Sequence, residues 1–224
     1  MTLRAVFPLS AAHLPGDRIL LRVFEQRYRA LVSDVMSEGG EFATVLIARG
    51  AEVGGNDDRF DHGVLVRVDE VREVSDLLPS SGLLLAGVAV ECCTIATWHP
   101  DDPYPRAELT TSIERPLTRR ELSDVASSLS LLAQRTRTLL ASLSGEDLPA
   151  PSPEFVAVAA GRWWDAALAE QEAWGAFWAV ARQVPCGPLD RHQFLLPGNL
   201  AERTVRLKGI IEHVSEVLAF RLGQ

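Results

Sequence analysis

The hydrophobic repeat of this 224-residue chain changes for good at Pro116. Before it, apolar residues tend to recur at every second position, the period of a strand with one buried face. After it they recur at every third and fourth position, the period of a helix. Strands gathered ahead of helices point to an α+β chain or to two subdomains sharing an interface.

The first half reads strand by strand. "LRAVFPLS" predicts a short strand ending at Pro8. Pro15-Gly16 marks a turn. "DRILLRVF" then puts Ile19, Leu21 and Val23 on one face and Arg18, Leu20, Arg22 and Phe24 on the other. From Glu25 the period switches locally. Tyr28, Leu31, Val32, Val35 and Met36 mark one face of an inserted helix, which Gly39-Gly40 stops. "FATVLIA", "VLVRVDEVREV", "GLLLAGVAVECCTIATW" and "RAELTTSIE" predict further strands, the third being one long strand or a bent pair. "GAEVGGNDDRFDHG" reads as a solvated polar loop and "HPDDPYP" as a loop stiffened by three prolines.

In the second half Thr118 and Glu121 have the spacing of a capping box, followed by a stripe from Leu122 through Leu143. "SGEDLPAPSPE" reads as a linker, residues 155 to 184 as two short helices, and "LDRHQFLL" as another. Asn199 and Glu202 repeat the cap ahead of a final helix whose stripe includes Leu207, Ile210, Ile211 and Val214. The expected division is a β-rich unit over 1–117 and a helical unit over 118–224.

Composition narrows the function classes. Residues 1–117 hold 11 Arg against 18 Asp and Glu, a net of −7. Residues 118–224 hold 11 basic against 12 acidic, a net of −1, and the two make the total of −8. An acidic first half argues against nucleic acid, whose phosphates call for a basic stripe. No apolar run reaches the roughly 20 residues that cross a bilayer. The start "MTLRAVFPLS" lacks the apolar stretch of a signal peptide, so the expectation is a soluble, cytoplasmic protein. The cysteines Cys92, Cys93 and Cys186 are odd in number and read as buried apolar residues. No pair of residues has the spacing of a zinc site, and no cofactor is expected.

"FPLSAAHLPGDRILLRVFEQRYRALV" resembles the opening of the Lon protease N-terminal domain. An apolar-Pro-Leu strand is followed by a Pro-Gly turn, an apolar strand, and Phe24-Glu25-Gln26-Arg27-Tyr28 leading into a helix. "VLIARGAEVGG", "HGVLVRV", "DDPYPRAEL" and "FLLPGNLAERTVRLKGIIEHV" are similar to later blocks of that domain. The resemblance implies a β-rich, PUA-like pseudo-barrel followed by a helical bundle, and recognition of unfolded protein without the motor or the peptidase. The residues agree. No GxxxxGK[ST] loop is present, and the one lysine, Lys208, lies in the final amphipathic helix as an ordinary solvated side chain.

Within "RVFEQRYRALV" each charge has a structural role open to it. Glu25 and Arg29 stand four apart and can pair along the helix, and Glu25 suits the first turn. Otherwise Arg22, Glu25 and Arg29 line one wall of a polypeptide groove between the barrel and the helices. Trp163, Trp164, Trp174, Phe177 and Trp178 read as bundle core or as its seam with the β-rich unit. Adjacent Trp163 and Trp164 cannot both face inward on one helix, so one is expected to be partly exposed. Trp163, Trp164 and Trp178 complete the candidate binding set. His99 near Asp101 and Asp102 has no serine elbow to support a catalytic role.

The expected function is therefore a non-enzymatic module that binds unfolded or extended polypeptide, or a protein partner, as an adaptor or regulator in protein quality control. The alternatives are an RNA-binding PUA-like protein, a hydrolase or peptidase, and a homodimer formed through the Trp-rich helices.

Overall fold

The computed structural model describes residues 2–54, 57–74, 82–110, 115–143, 150–161, 163 and 170–222. The chain separates into two compact units, Met1–Ser112 and Ile113–Gln224.

The first unit is built from β1 (Thr2–Leu9), β2 (Arg18–Val23), α1 (Gln26–Ser37), β3 (Glu41–Arg49), β4 (Asp58–Val74), β5 (Gly82–Trp98) and β6 (Arg106–Thr110). The sheet order is β2-β5-β4-β3-β1-β6, and an additional β5–β6 pairing closes the last five strands into a ring. β1 and β3 run parallel and every other pair runs antiparallel. β2 runs opposite to β1, so β2 and the inserted α1 together form the crossover that lets β3 lie parallel to β1.

"GLLLAGVAVECCTIATW" is one continuous 17-residue strand. Its first half pairs with β2 (Leu83 to Val88) and its second half with β6 (Thr94 to Trp98), while β4 runs along its other side. Register shifts at Leu65/Val66 and Val68/Glu70 bend the long β4–β5 ribbon into the ring. Close approach also dictates glycine at Gly63 and Gly87 of this ribbon. A Cβ at Gly63 would collide with the Thr44 carbonyl of β3.

Alternation fills both faces. Val6, Ala43, Val45, Cys93, Ile95, Ala107 and Leu109 form a buried cluster, with Leu65 and Trp98 packed on it. On β1 the next residue, Phe7, points the other way, toward α1. Its ring stacks on Tyr28 at 4.1 Å and tilts against Phe42 at 6.4 Å. Tyr28, Leu31, Val32 and Val35 are the buried face of α1. The helix ends as expected: Gly39 and Gly40 both take positive φ (108° and 76°), and the Gly40 amide donates to the Val35 carbonyl. Tyr104 ties the proline-rich loop to the same helix, its hydroxyl donating to Asp34 at 2.6 Å.

The second unit holds α2 (Arg119–Ser142), α3 (Pro153–Ala159), α4 (Glu170–Ala181), α5 (Pro188–Gln193) and α6 (Leu200–Leu222). The Thr118–Glu121 capping box is complete, and Asn199 and Glu202 cap α6 reciprocally. Arg115 adds hydrogen bonds to Glu121, and with those from Thr118 they hold that carboxyl at about 2. The α2 stripe buries Val125, Leu129, Leu132 and Leu139 as its period predicts. No helix of the described residues is long and apolar enough to cross a membrane.

Candidate functional site

The charged stretch that joins β2 to α1 is part hinge and part surface. Ile19 and Val23 are buried, so the opposite face of β2 turns outward. That face carries Arg18, Leu20, Arg22 and then Phe24, all exposed; Leu20 is 66% and Phe24 49% accessible. Among the described residues neither Arg18 nor Arg22 has an ion-pair partner. Two apolar and two cationic side chains thus alternate along one strand face, about 6–7 Å apart at the rise of a strand.

Glu25 and Arg29 are arranged differently from their spacing. Glu25 is the N-cap of α1 rather than a first-turn residue, and its side chain makes no capping bond. Its carboxylate instead accepts from Arg27 Nε at 3.1 Å. The guanidinium of Arg27 lies 4.4 Å from the Tyr28 ring centre and donates to the Glu52 carbonyl at 3.4 Å. Arg29 is half-buried on α1.

A second polar cluster lies at the start of β4. "DRFDHG" belongs to β4 rather than to a solvated loop. Asp57 just before it is sealed, its side chain 2% accessible. Arg59 sits between two carboxylates, Nε 2.6 Å from Asp57 and Nη2 2.5 Å from Asp101. Its guanidinium lies 5.1 Å from the Trp98 ring centre, and the Trp98 indole donates to Asp61 at 2.9 Å. Burial pushes the Asp57 carboxyl up, but the hydrogen bonds and charge of Arg59 outweigh it and leave it below the ordinary value. The same pairs hold Arg59 firmly protonated against its own burial. Asp101 therefore serves Arg59 and not His99, which faces Glu108 at 3.6 Å. This cluster clamps the proline-rich loop onto β4. Its donors and acceptors are committed to one another.

A cavity of about 370 Å³ opens at one end of the ring, lined by Arg4, Glu41, Leu65, Glu91, Cys93 and Leu109 among others. Arg4 and Glu41 pair across it at 3.2 Å. Burial pushes the Cys93 thiol up to about 12, so it is protonated and unreactive at neutral pH. The cavity has the volume of a small-ligand pocket, too little for an extended chain.

In the second unit Trp178 is built into an aromatic stack. It lies 6.0 Å from Trp174 and 4.7 Å from Phe177, and Arg203 stands 5.4 Å from Trp174 and 5.7 Å from Trp178. Arg203 is itself buried and donates to the carbonyls of Gly198 and Phe194. Trp163 is half-buried and its indole donates to Ser130 at 3.0 Å. Trp164 lies outside the described residues. Lys208 is more than half exposed, 3.9 Å from Glu212. Among the described residues no group of His, Cys, Asp and Glu could hold a metal ion.

A closed β-ring carrying one extra edge strand and one inserted helix, followed in the chain by a helical unit, defines an α+β module. The family model of the ATP-dependent protease La (LON) substrate-binding domain matches residues 4–163, and the chain belongs to that family. Two solved structures share the fold. One is the Lon N-terminal domain protein from Xanthomonas campestris, 22% identical over 93% of this chain and 98% of that one, with a TM-score of 0.56. The other is the N-terminal domain of Mycobacterium avium complex Lon protease, 14% identical over 94% and 98%, also with a TM-score of 0.56. Comparison with curated proteins finds no match.

Proposed function

We propose that the chain binds unfolded or extended polypeptide, presents it as an adaptor or regulator in protein quality control, and does not itself cleave it. The observation that carries this is the outward row that runs along β2 and just past it, where exposed Leu20 and Phe24 alternate with Arg18 and Arg22 in a member of a substrate-binding family. Exposed apolar side chains in a row favour partners whose own apolar groups are not buried, which is the property that separates an unfolded chain from a folded one. Arg22 is the member of the predicted set that lies in this row. Glu25 and Arg29 flank it at the start of α1, and the indoles of Trp163 and Trp178 have structural partners.

Casein, which is unfolded, and a folded protein of similar size and charge supply the test. Fluorescence anisotropy should show casein binding with a Kd of about micromolar, worth roughly 8 kcal/mol, and no binding of the folded control. Casein intact after prolonged incubation without ATP agrees with the proposal. Casein that stays free at concentrations well above micromolar, or that is cut, contradicts it.

A further inference from the structure

We infer that the outer edge of β2 is a strand-pairing site. It takes an extended segment whose carboxylates stand four residues apart with an apolar residue midway between them. This rests on the proposed binding of unfolded polypeptide and names how that polypeptide is held.

The backbone supplies the first half of the case. β2 ends the sheet order, and among the described residues no strand pairs with its other edge. The Ala89 amide donates to the Asp17 carbonyl at 3.0 Å, which fixes the phase of the β2–β5 ladder. Antiparallel pairing alternates, so Ile19, Leu21 and Val23 spend their amides and carbonyls on Gly87, Leu85 and Leu83. The amides and carbonyls of Arg18, Leu20 and Arg22 point the other way. An added strand would bond to those three, as in β-augmentation.

The side chains supply the second half. Arg18 and Arg22 flank Leu20 on one face, so an added strand places three of its own side chains opposite them. Two carboxylates four residues apart span the same distance as the two arginines, about 13 Å. The row is locally cationic in a half of net charge −7. It is the exposed part of β2, and its charges lack partners among the described residues. The same arginines disfavour a second copy as the occupant. A two-fold pairing of β2 with itself, centred on Leu20, sets Arg18 opposite Arg22, and like charges directly opposite destabilise a strand pair.

The probe is a labelled, end-capped Thr-Glu-Thr-Val-Thr-Glu-Thr peptide at about 0.15 M salt, where the distant charges of the unit are screened beyond roughly 8 Å. Its counterparts are the same peptide N-methylated at alternate backbone positions, in either phase, and a Thr-Lys-Thr-Val-Thr-Lys-Thr peptide. The protein variants are Leu20→Pro, which removes one outward amide while leaving the β5-facing ladder, and the double variant Arg18→Glu, Arg22→Glu. We expect the acidic peptide to bind. One phase of N-methylation should weaken it roughly tenfold or more, the scale of a lost hydrogen bond plus the blocked approach. Leu20→Pro should weaken it similarly, and the double variant should switch preference to the lysine peptide without needing Leu20→Pro to fold. Equal binding of both N-methylated peptides overturns the inference, as does a double variant that keeps its preference for glutamate. A wild-type dimer that excludes the peptide overturns it too. Casein binding with no peptide binding overturns strand pairing and leaves the proposed function standing; loss of casein binding by the wild type removes the function itself.

Discussion

The rings of Phe7 on β1 and Tyr28 on α1 stack face to face, 4.1 Å apart and 13° from parallel. This contact seats the inserted helix on the closed ring and so fixes the direction in which the chain leaves β2. Tyr28→Ala should destabilise the protein by about 3–5 kcal/mol in urea unfolding, the range for emptying a buried aromatic site. Tyr28→Phe keeps the stack and should cost far less.

Arg59 and Asp57 form a part-buried ion pair in the first unit. Replacing Arg59 with Ala leaves the Asp57 carboxylate without its guanidinium and should cost about 1–3 kcal/mol. Acid should act in the same direction. The Asp57 carboxyl titrates below its ordinary value of 3.8, so its contribution is complete above that pH and is lost as pH falls through the depressed folded value. In urea series from pH 6 to pH 2 the wild type should lose more stability than Arg59→Ala. Parallel losses would show that Arg59 does not set the carboxyl.

Alkali should act through three buried acids. Burial pushes Tyr28, Tyr104 and Cys93 up to about 12 from ordinary values of 10, 10 and 9, with the hydrogen bond to Asp34 adding to the rise at Tyr104. A raised folded value means full stability below the unfolded value and loss as pH climbs through the folded one. Urea midpoints should hold to about pH 9 and fall between there and pH 12. Thiol labelling at pH 8 should leave Cys93 untouched until the protein unfolds.

Trp178 packs on Trp174 and Phe177 beneath Arg203. Trp178→Ala should therefore lower stability by about 2 kcal/mol or more while casein affinity, per folded molecule, changes less than twofold. A large affinity loss in a variant that melts like the wild type would move the site to the second unit.

Much of this fold is legible in the sequence because it is local. The α1 stripe, the Gly39-Gly40 stop, the Thr118–Glu121 box and the Asn199–Glu202 cap each depend on residues within a few positions of one another. Pairing is not local. Nothing in "GLLLAGVAVECCTIATW" says that its one edge is shared between β2 and β6, or that β1 and β3 run parallel. The Arg59 cluster was hidden for the same reason. "NDDRFDHG" is polar enough to read as a solvated loop, and Asp101, the partner that helps bury Arg59, lies 42 residues away. The outward row of β2 was visible as alternation; that its edge ends the sheet was not.

The most direct measurement is hydrogen exchange on the wild-type protein with and without saturating casein. Binding at the β2 row predicts slowed exchange of the outward amides of Leu20 and Arg22 and of the first turn of α1, with the β5-facing amides of Ile19 and Leu21 unchanged. Casein that binds while residues 18–29 exchange as in the free protein, with protection confined to other segments, would contradict it.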